Sequence, residues 1–305
     1  MDIGNDSMYL LENQDCLEFL SQLNDKSVEL VVVDPPYFEI VKNDWDNQWN
    51  SELEYLGWCD KWTRECARVL KPGGCLYVWG TTKTDTFLRY KLEVLNKLDG
   101  FFYQNWIIWW YDWGGRTKKN FARKHEDLIM YSKGKKFLFN ADDVRVERAV
   151  KKNMALERKM SLLEKKIESH FDVLNEKDQK AWETYSLHKL DYTEWPDKLE
   201  TFREKDVEFK KGKIPIDVWQ KNNHTTSKEY AGWHPTQKPI ELLKRVILAN
   251  TNEGDTVLDC FSGSGSTMIA CDLTNRSFVG CELDEDYYTR SLERREELIK
   301  LLKNK

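Results

Sequence analysis

Apolar positions along the first 140 residues follow two periods. Val28 to Val33 is an unbroken, β-branched run, the pattern of a strand covered on both faces, and Cys75 to Trp79 repeats it. Asp15 to Leu23 and Glu52 to Leu70 instead place apolar residues at helical spacing, and Lys71-Pro72-Gly73-Gly74 stops the second of these helices. Met8 to Glu12 predicts a short strand, Thr84 to Leu98 a helix, Phe101 to Tyr111 a long aromatic strand and His125 to Ser132 one more strand. Strands separated by helices imply an α/β fold with a doubly wound, mostly parallel sheet.

The pattern changes near Asp142. From there to about Lys213 the chain is rich in Lys and Glu, with Val150, Met154, Leu156, Met160, Leu163 and Ile167 at helical spacing. Two or three amphipathic helices outside the sheet are expected. From Trp233 the α/β pattern returns. Pro239 to Asn250 predicts a helix, Thr256 to Cys260 a strand, Phe261 to Gly265 a glycine-rich turn, Ser277 to Cys281 a strand and Asp286 to Lys303 a charged helix. The expected organisation is therefore two halves of one domain, 1–141 and 231–305, around an inserted region, 142–230.

Composition narrows the class. Of 305 residues, 40% are apolar and 32% charged, which suits a globular chain rather than a disordered one. No apolar stretch approaches the roughly 20 residues needed to span a bilayer. The opening MDIGNDSMYLLEN has no basic segment followed by an apolar core, so a cytoplasmic protein without a membrane partner is expected. Seven scattered cysteines without a CxxC pair read as buried free thiols, and no metal site is expected because the five histidines do not cluster with them. The net charge of -5 argues mildly against a nucleic-acid protein. The segment RTKKNFARK counters it locally, with Arg116, Lys118, Lys119, Arg123 and Lys124 and no acidic residue. That run is either a solvated loop or a phosphate-binding one.

Three segments carry candidate chemistry. Asp34-Pro35-Pro36-Tyr37 follows a strand directly, at the strand end where open α/β sheets bind ligands. Two prolines cannot continue a central strand and hold the following backbone stiff. The corner presents a carboxylate, carbonyls and an aromatic face, which suits an exocyclic base amine with two N–H donors; it also reads as a plain strand-ending turn. Asp259-Cys260-Phe261-Ser262-Gly263-Ser264-Gly265-Ser266 joins a strand to a helix, where glycines allow close backbone approach and the helix start offers free N–H groups. Glu282 follows about 20 residues on, at the distance where a carboxylate grips ribose hydroxyls, so a nucleoside-containing cofactor is favoured over a bare tight turn. His234-Pro235-Thr236-Gln237-Lys238-Pro239 offers Thr236 and Lys238 to a small carboxylate, or is a proline-bounded loop.

Together these segments resemble the DNA amino-methyltransferases, in particular the beta class, which carries DPPY, a target-recognition region, HPTQKP and FxGxG in that order. Asn13-Gln14-Asp15-Cys16, Asp44-Trp45-Asp46, Arg68-Val69-Leu70-Lys71-Pro72-Gly73-Gly74 and Lys124-His125-Glu126 are similar to the family as well, and the likeness covers roughly residues 8–140 and 230–295. It implies a circularly permuted, Rossmann-like methyltransferase sheet with a helical insertion, and S-adenosylmethionine as cofactor. Asp259, Phe261, Ser262, Gly263 and Gly265 would line the cofactor site. Glu282 would bind its ribose, Asp15 and Cys16 would meet its adenine, and Thr236 and Lys238 would hold its methionine end. Asp34, Pro35, Pro36 and Tyr37 would receive a target base flipped from double-stranded DNA, with Asp34 also near the methionine amine. Asp34 in first position favours the N6 of adenine over the N4 of cytosine, which the family associates more with serine. An RNA or small-molecule substrate and a non-catalytic protein of the same fold stay open. The likeness also implies a homodimer and a cognate restriction endonuclease as candidate partners. Residues 142–230 match nothing and read as a DNA-reading module, an oligomerisation hairpin or a structural insertion.

Overall fold

A computed structural model of the chain describes residues 9–40, 48–111, 121–146, 216–220 and 229–303, together with Glu176, Gln179 and Lys180. The chain divides into a larger unit, Met1–Val144 with Pro215–Lys305, and a smaller one, Arg145–Ile214. The amphipathic helices expected in the smaller unit lie outside the described residues, except that Glu176, Gln179 and Lys180 are helical.

The larger unit is built on one eight-stranded sheet. Its strands are β1 (Tyr9–Asn13), β2 (Val28–Val33), β3 (Leu70–Gly80), β4 (Phe101–Trp110), β5 (His125–Lys133), β6 (Val218–Gln220), β7 (Thr256–Asp259) and β8 (Ser277–Glu282), in the order β1-β8-β7-β2-β3-β5-β4-β6. The two strands from the C-terminal half thus slot between β1 and β2, which is the permuted arrangement the motif order implied. All neighbours are parallel except β3 with β5 and β4 with β5, because β5 runs against the rest.

Alternation along the central strands explains their unbroken apolar runs. Val31 and Val33 on β2 and Leu76 and Val78 on β3 face one core, filled by Phe19, Trp62 and Cys66 from helices α1 (Cys16–Ser21) and α2 (Glu52–Val69). Leu30, Val32, Cys75 and Tyr77 face the other, packed against Leu243, Val246 and Ile247 of α4 (Ile240–Asn250) and Met268 and Ile269 of α5 (Ser266–Asp272). Side chains of a strand point alternately to its two faces, so a strand with helices on both sides cannot carry a polar face. Trp62 is fully buried, and truncating such a side chain to alanine costs roughly 3–5 kcal/mol. Helix α3 (Thr86–Glu93) and the C-terminal α6 (Glu285–Lys303) complete the covering.

Local signals mark the ends of α2. Ser51 Oγ accepts the Glu54 N–H at 3.2 Å, and the Glu54 carboxylate reaches back to the Asn50 N–H at 2.9 Å. At the other end Lys133 Nζ donates to the Ala67 and Leu70 carbonyls at 2.7 Å each, satisfying groups that the helix leaves unpaired. The stop signal Lys71-Pro72-Gly73-Gly74 is drawn into β3 as an irregularity, the register passing from Val28↔Leu70 to Leu30↔Cys75. A Cβ on Gly74 would lie 2.5 Å from the Glu29 carbonyl oxygen, so only glycine lets the two strands approach there.

One expected boundary moves. Val218–Gln220 falls in the stretch read as inserted region, 142–230, yet pairs in parallel with Ile108–Trp110 as the edge strand β6. The smaller unit is accordingly 145–214. Three residues are too few to show a period against a Lys- and Glu-rich background. Trp219 nonetheless buries its ring in the second core, with the Arg245 guanidinium 5.0 Å from its centroid.

The parallel register has one consequence for chemistry. Val31 pairs with Leu258, Asp259 with Gly280 and Asn13 with Glu282, so the carboxyl ends of β2, β7, β8 and β1 share one rim.

Candidate functional site

That rim frames a cleft of about 760 Å³. Asp34 leaves the end of β2, and Pro35 and Pro36, without N–H groups, turn the chain out of the sheet. The Tyr55 hydroxyl donates to the Pro36 carbonyl at 3.0 Å and holds the corner from α2. Tyr37 folds back so that its hydroxyl donates to Asp34 Oδ1 at 2.6 Å. From the loop before α4, Lys238 Nζ donates to Asp34 Oδ2 at 2.5 Å and to the Thr236 carbonyl at 3.2 Å, and forms an ion pair with Glu126 Oε2 at 3.2 Å. The ammonium is 5% exposed and lies 5.4 Å from the Trp79 ring centroid. Burial works against its charge, but the two carboxylates prevail and its pKa is raised. Burial and the Asp34 charge hold the Tyr37 hydroxyl well above its usual range, so it stays a donor.

The glycine-rich turn forms the opposite wall. Asp259 sits beneath it, accepting from Phe261 N at 3.1 Å and Thr267 Oγ1 at 2.6 Å; burial pushes its carboxyl up to about 7 against those two bonds. The Phe261 ring is wedged between Trp58 and Trp62, at centroid distances of 5.6 and 5.3 Å. Gly263 has φ +49 and Gly265 φ +72, the left-handed region that costs other residues about 1–2 kcal/mol. Gly263 N donates to Glu282 Oε2 at 2.7 Å, and Asp284 N to Glu282 Oε1 at 3.0 Å. Arg294 of α6 fastens the back of the turn, donating to the Ser264 carbonyl at 2.6 Å and the Glu229 carbonyl at 2.8 Å. At the third wall Asp15 caps α1, accepting from Leu17 N at 2.8 Å and Glu18 N at 3.2 Å, beside the buried Cys16.

The DNA methylase family (N6_N4_Mtase) matches residues 28–293. The chain belongs to that family. The methylase is 31% identical over 282 residues to the type II methyltransferase M1.MboII of Moraxella bovis, covering 92% of this chain and 94% of that one. It is 30% identical over 316 residues to the DNA adenine methyltransferase YhdJ of Escherichia coli, covering 99% and 90%. Among solved structures it resembles the PvuII DNA methyltransferase (cytosine-N4-specific), with a TM-score of 0.63 at 17% identity over 97% of this chain and 92% of that one. It also resembles the M1.HpyAVI–SAM complex, with a TM-score of 0.54 at 18% identity over 94% and 98%. These two likenesses bear on the fold.

Against this geometry the residues expected from sequence sort into three groups. Asp34, Pro35, Pro36, Tyr37, Asp15, Cys16, Thr236, Lys238, Phe261, Ser262, Gly263 and Glu282 all line the one cleft. Asp259 and Gly265 do not line it. Asp259 braces the turn from below, and Gly265 precedes α5 where a Cβ would meet Ser291 Cβ at 3.0 Å, so its conformation and packing require glycine. Lys238 lines the cleft with its ammonium against two carboxylates and a carbonyl.

Of the basic segment, Arg116, Lys118 and Lys119 lie outside the described residues, as does Asp44-Trp45-Asp46. Arg123 is exposed, Lys124 is half-buried, and neither lines the cleft.

Sequence reasoning assigned no role to His234, Gln14 or Glu126, although each falls in a quoted motif, and none to Trp58, which helical spacing marks only as core. All seven cysteines are buried free thiols. Among the described residues no group of three or more His, Cys, Asp or Glu could hold a metal ion, and no helix is long and apolar enough to cross a membrane.

His234 yields a pH prediction. Its ring packs 4.7 Å from the Tyr287 centroid, and burial lowers its pKa from 6.5 to about 4. Between those values the unfolded chain binds a proton that the folded methylase refuses, so this contribution to stability falls as the pH drops through that window. Chemical denaturation at pH 7 and pH 5 should show a smaller acid loss in His234→Asn than in the wild type; equal losses would remove His234 as a cause.

Proposed function

We propose that this methylase transfers a methyl group from S-adenosylmethionine to the N6 amine of adenine in DNA. The observation that carries the reading is the shared cleft: the Asp34–Tyr37 corner and the Phe261–Gly263 turn, more than 220 positions apart in sequence, line the same space. Its volume of about 760 Å³ lies in the range of cofactor sites, roughly 300–1,000 Å³.

The residues suit the cofactor. Glu282 keeps lone pairs beyond its two N–H partners and can accept ribose hydroxyls. Ser262 Oγ and His234 Nδ1, both at the cleft, are buried polar atoms without a hydrogen-bond partner among the described residues, which is costly unless a ligand satisfies them. When bound, S-adenosylmethionine supplies an electrophilic methyl group on a sulfonium.

The chain's own contribution is to the amine. An exocyclic amine delocalises its lone pair into the ring. Asp34, whose oxygens each keep a second lone pair, and the Pro35 carbonyl accept its two N–H groups and draw the nitrogen towards a tetrahedral, nucleophilic shape. Lys238 holds Asp34 in place through its bond to Oδ2. Tyr37 leaves Asp34 to stack on the base, a contact worth roughly 1–3 kcal/mol. Reaching the amine in a duplex requires flipping the base, at a cost of a few kcal/mol. Catalysis is then mainly positioning with exclusion of water.

Adenine is favoured by Asp34 in the first motif position and by the relative YhdJ, a DNA adenine methyltransferase. Modification-sensitive sequencing of a genome from cells expressing the protein tests this, and N6-methyladenine in a fixed context is the expected result. N4-methylcytosine would overturn the choice of base, and unmodified DNA the whole reading. The segment 116–124 is assigned to phosphate contact. Neutralising Arg116, Lys118 and Lys119 together should weaken DNA binding and flatten the slope of log affinity against log salt by roughly 0.9 per lost contact. An unchanged slope would place the DNA surface elsewhere.

A further inference from the structure

Methyl transfer to an amine leaves a proton to dispose of. The nitrogen, once alkylated, carries one hydrogen too many, and Asp34 is the base that touches it. A protonated Asp34 would then have to be emptied before the next turnover. Beyond Lys238 lies a group that no role assigned above uses. Glu126 stands at the start of β5, opposite Trp109 of β4. Its Oε2 is buried and lies 3.2 Å from Lys238 Nζ, its ion-pair partner. Asp34 Oδ2 and Glu126 Oε2 thus lie 2.5 and 3.2 Å from Lys238 Nζ, one cation in contact with two acids.

We propose that Glu126 is the positioning residue that receives, through Lys238, the proton which the methylated amine delivers to Asp34. The steps balance. One N–H bond of the alkylated nitrogen breaks, its electron pair stays on nitrogen, and the proton goes to the open lone pair of Asp34 Oδ2. Lys238 first gives one N–H proton to Glu126 Oε2; the neutral amine then turns its freed lone pair to Asp34, takes the proton there and is an ammonium again. Asp34 returns to a carboxylate. Glu126 ends as a carboxylic acid and loses its proton to water through its 20% exposed side chain.

The surroundings favour this direction. Burial raises the Glu126 carboxyl, and Asp34 and Asp127 push it further, while Lys238 pulls it down; the net shift is upward. Tyr37 and Tyr111 also face it, and its charge helps to raise both phenols. A carboxylate with a raised pKa is a better proton acceptor than one exposed to water.

The proposal rests on the methyl-transfer reading but not on which base is methylated, since both candidate amines shed a proton. The test is kcat against pH for the full chain on unmodified DNA, in the wild type, Glu126→Gln and Glu126→Asp, with S-adenosylmethionine affinity by calorimetry and thermal midpoints alongside. The wild-type rate should fall on the acid side as Glu126 takes up a proton. Glu126→Gln should remove that acid limb and lower kcat at neutral pH at least roughly tenfold. Cofactor Kd and the KM for DNA should stay within about threefold of the wild type. Glu126→Asp should recover part of the rate and restore an acid limb at lower pH. A Glu126→Gln protein with wild-type kcat, or with the acid limb unmoved, overturns the relay, and weakened binding with an unmoved limb identifies a merely structural carboxylate. If Glu126→Gln does not fold, Glu126→Asp decides: an unshifted limb overturns the proposal. Methylated cytosine in the product would sink the adenine assignment and leave the relay standing, whereas wild-type protein that methylates no DNA would sink both.

Discussion

Asp34→Ala should lower kcat by roughly 10²–10³-fold, the loss seen when one group that stabilises developing charge is removed. Asp34 accepts from Tyr37 and Lys238 and is the carboxylate at the turn of the DPPY corner, so its removal takes away the acceptor for the amine. Cofactor binding should change little, because the Phe261–Gly263 turn and Glu282 do not bond to it. The fold should survive. Deleting one partner of a buried ion pair strands a charge at a cost of about 3–5 kcal/mol, but here Lys238 retains Glu126. Product analysis by mass spectrometry and cofactor titration by calorimetry check both halves. Near-normal turnover would refute the role of Asp34, while lost turnover together with lost cofactor binding would make it a cofactor residue instead.

Gly263→Ala should weaken S-adenosylmethionine binding by roughly 10–100-fold, which corresponds to about 1.4–2.8 kcal/mol. Two costs combine. The residue has φ +49, and a Cβ there would lie 2.7 Å from His234 Nε2. The imidazole has little room to yield, with Tyr287 4.7 Å and Trp233 6.0 Å from it between ring centroids. Any shift of the turn also disturbs the Gly263 N–H bond to Glu282. Adding His234→Ala to Gly263→Ala should recover the steric part but not the backbone part, leaving a coupling of about 0.5–3 kcal/mol between the two positions. Wild-type affinity in Gly263→Ala alone, or strict additivity in the double variant, would show that the close approach has no energetic weight.

Much of the architecture was legible in the chain because it rests on local regularities. Val28–Val33 carries the pattern of a strand buried on both faces, and Lys71-Pro72-Gly73-Gly74 marks the end of α2, whereas its Ser51–Glu54 cap was found in the structure. The chemistry-bearing segments were legible for a related reason. Proline pairs and closely spaced glycines make sense only where the backbone must leave regular structure, and both occur where strands end. Gly265 shows the limit of that inference: the sequence marks it as part of a cofactor turn, but Ser291, which a Cβ there would meet at 3.0 Å, comes from α6, and that packing together with φ +72 requires glycine.

What the sequence determined by itself, then, is the succession of strands and helices, the places where the chain turns, and the DPPY, HPTQKP and FxGxG segments that mark the family. What only the tertiary structure decided is partnership. The insertion of β7 and β8 between β1 and β2, the edge strand Val218–Gln220, and the placing of Lys238 between Asp34 and Glu126 are contacts between residues far apart in the chain. Hydrophobic period and turn chemistry report on neighbours a few positions away. A hydrogen bond across 204 positions depends on which strands lie side by side, and that is set by the packing of the whole sheet.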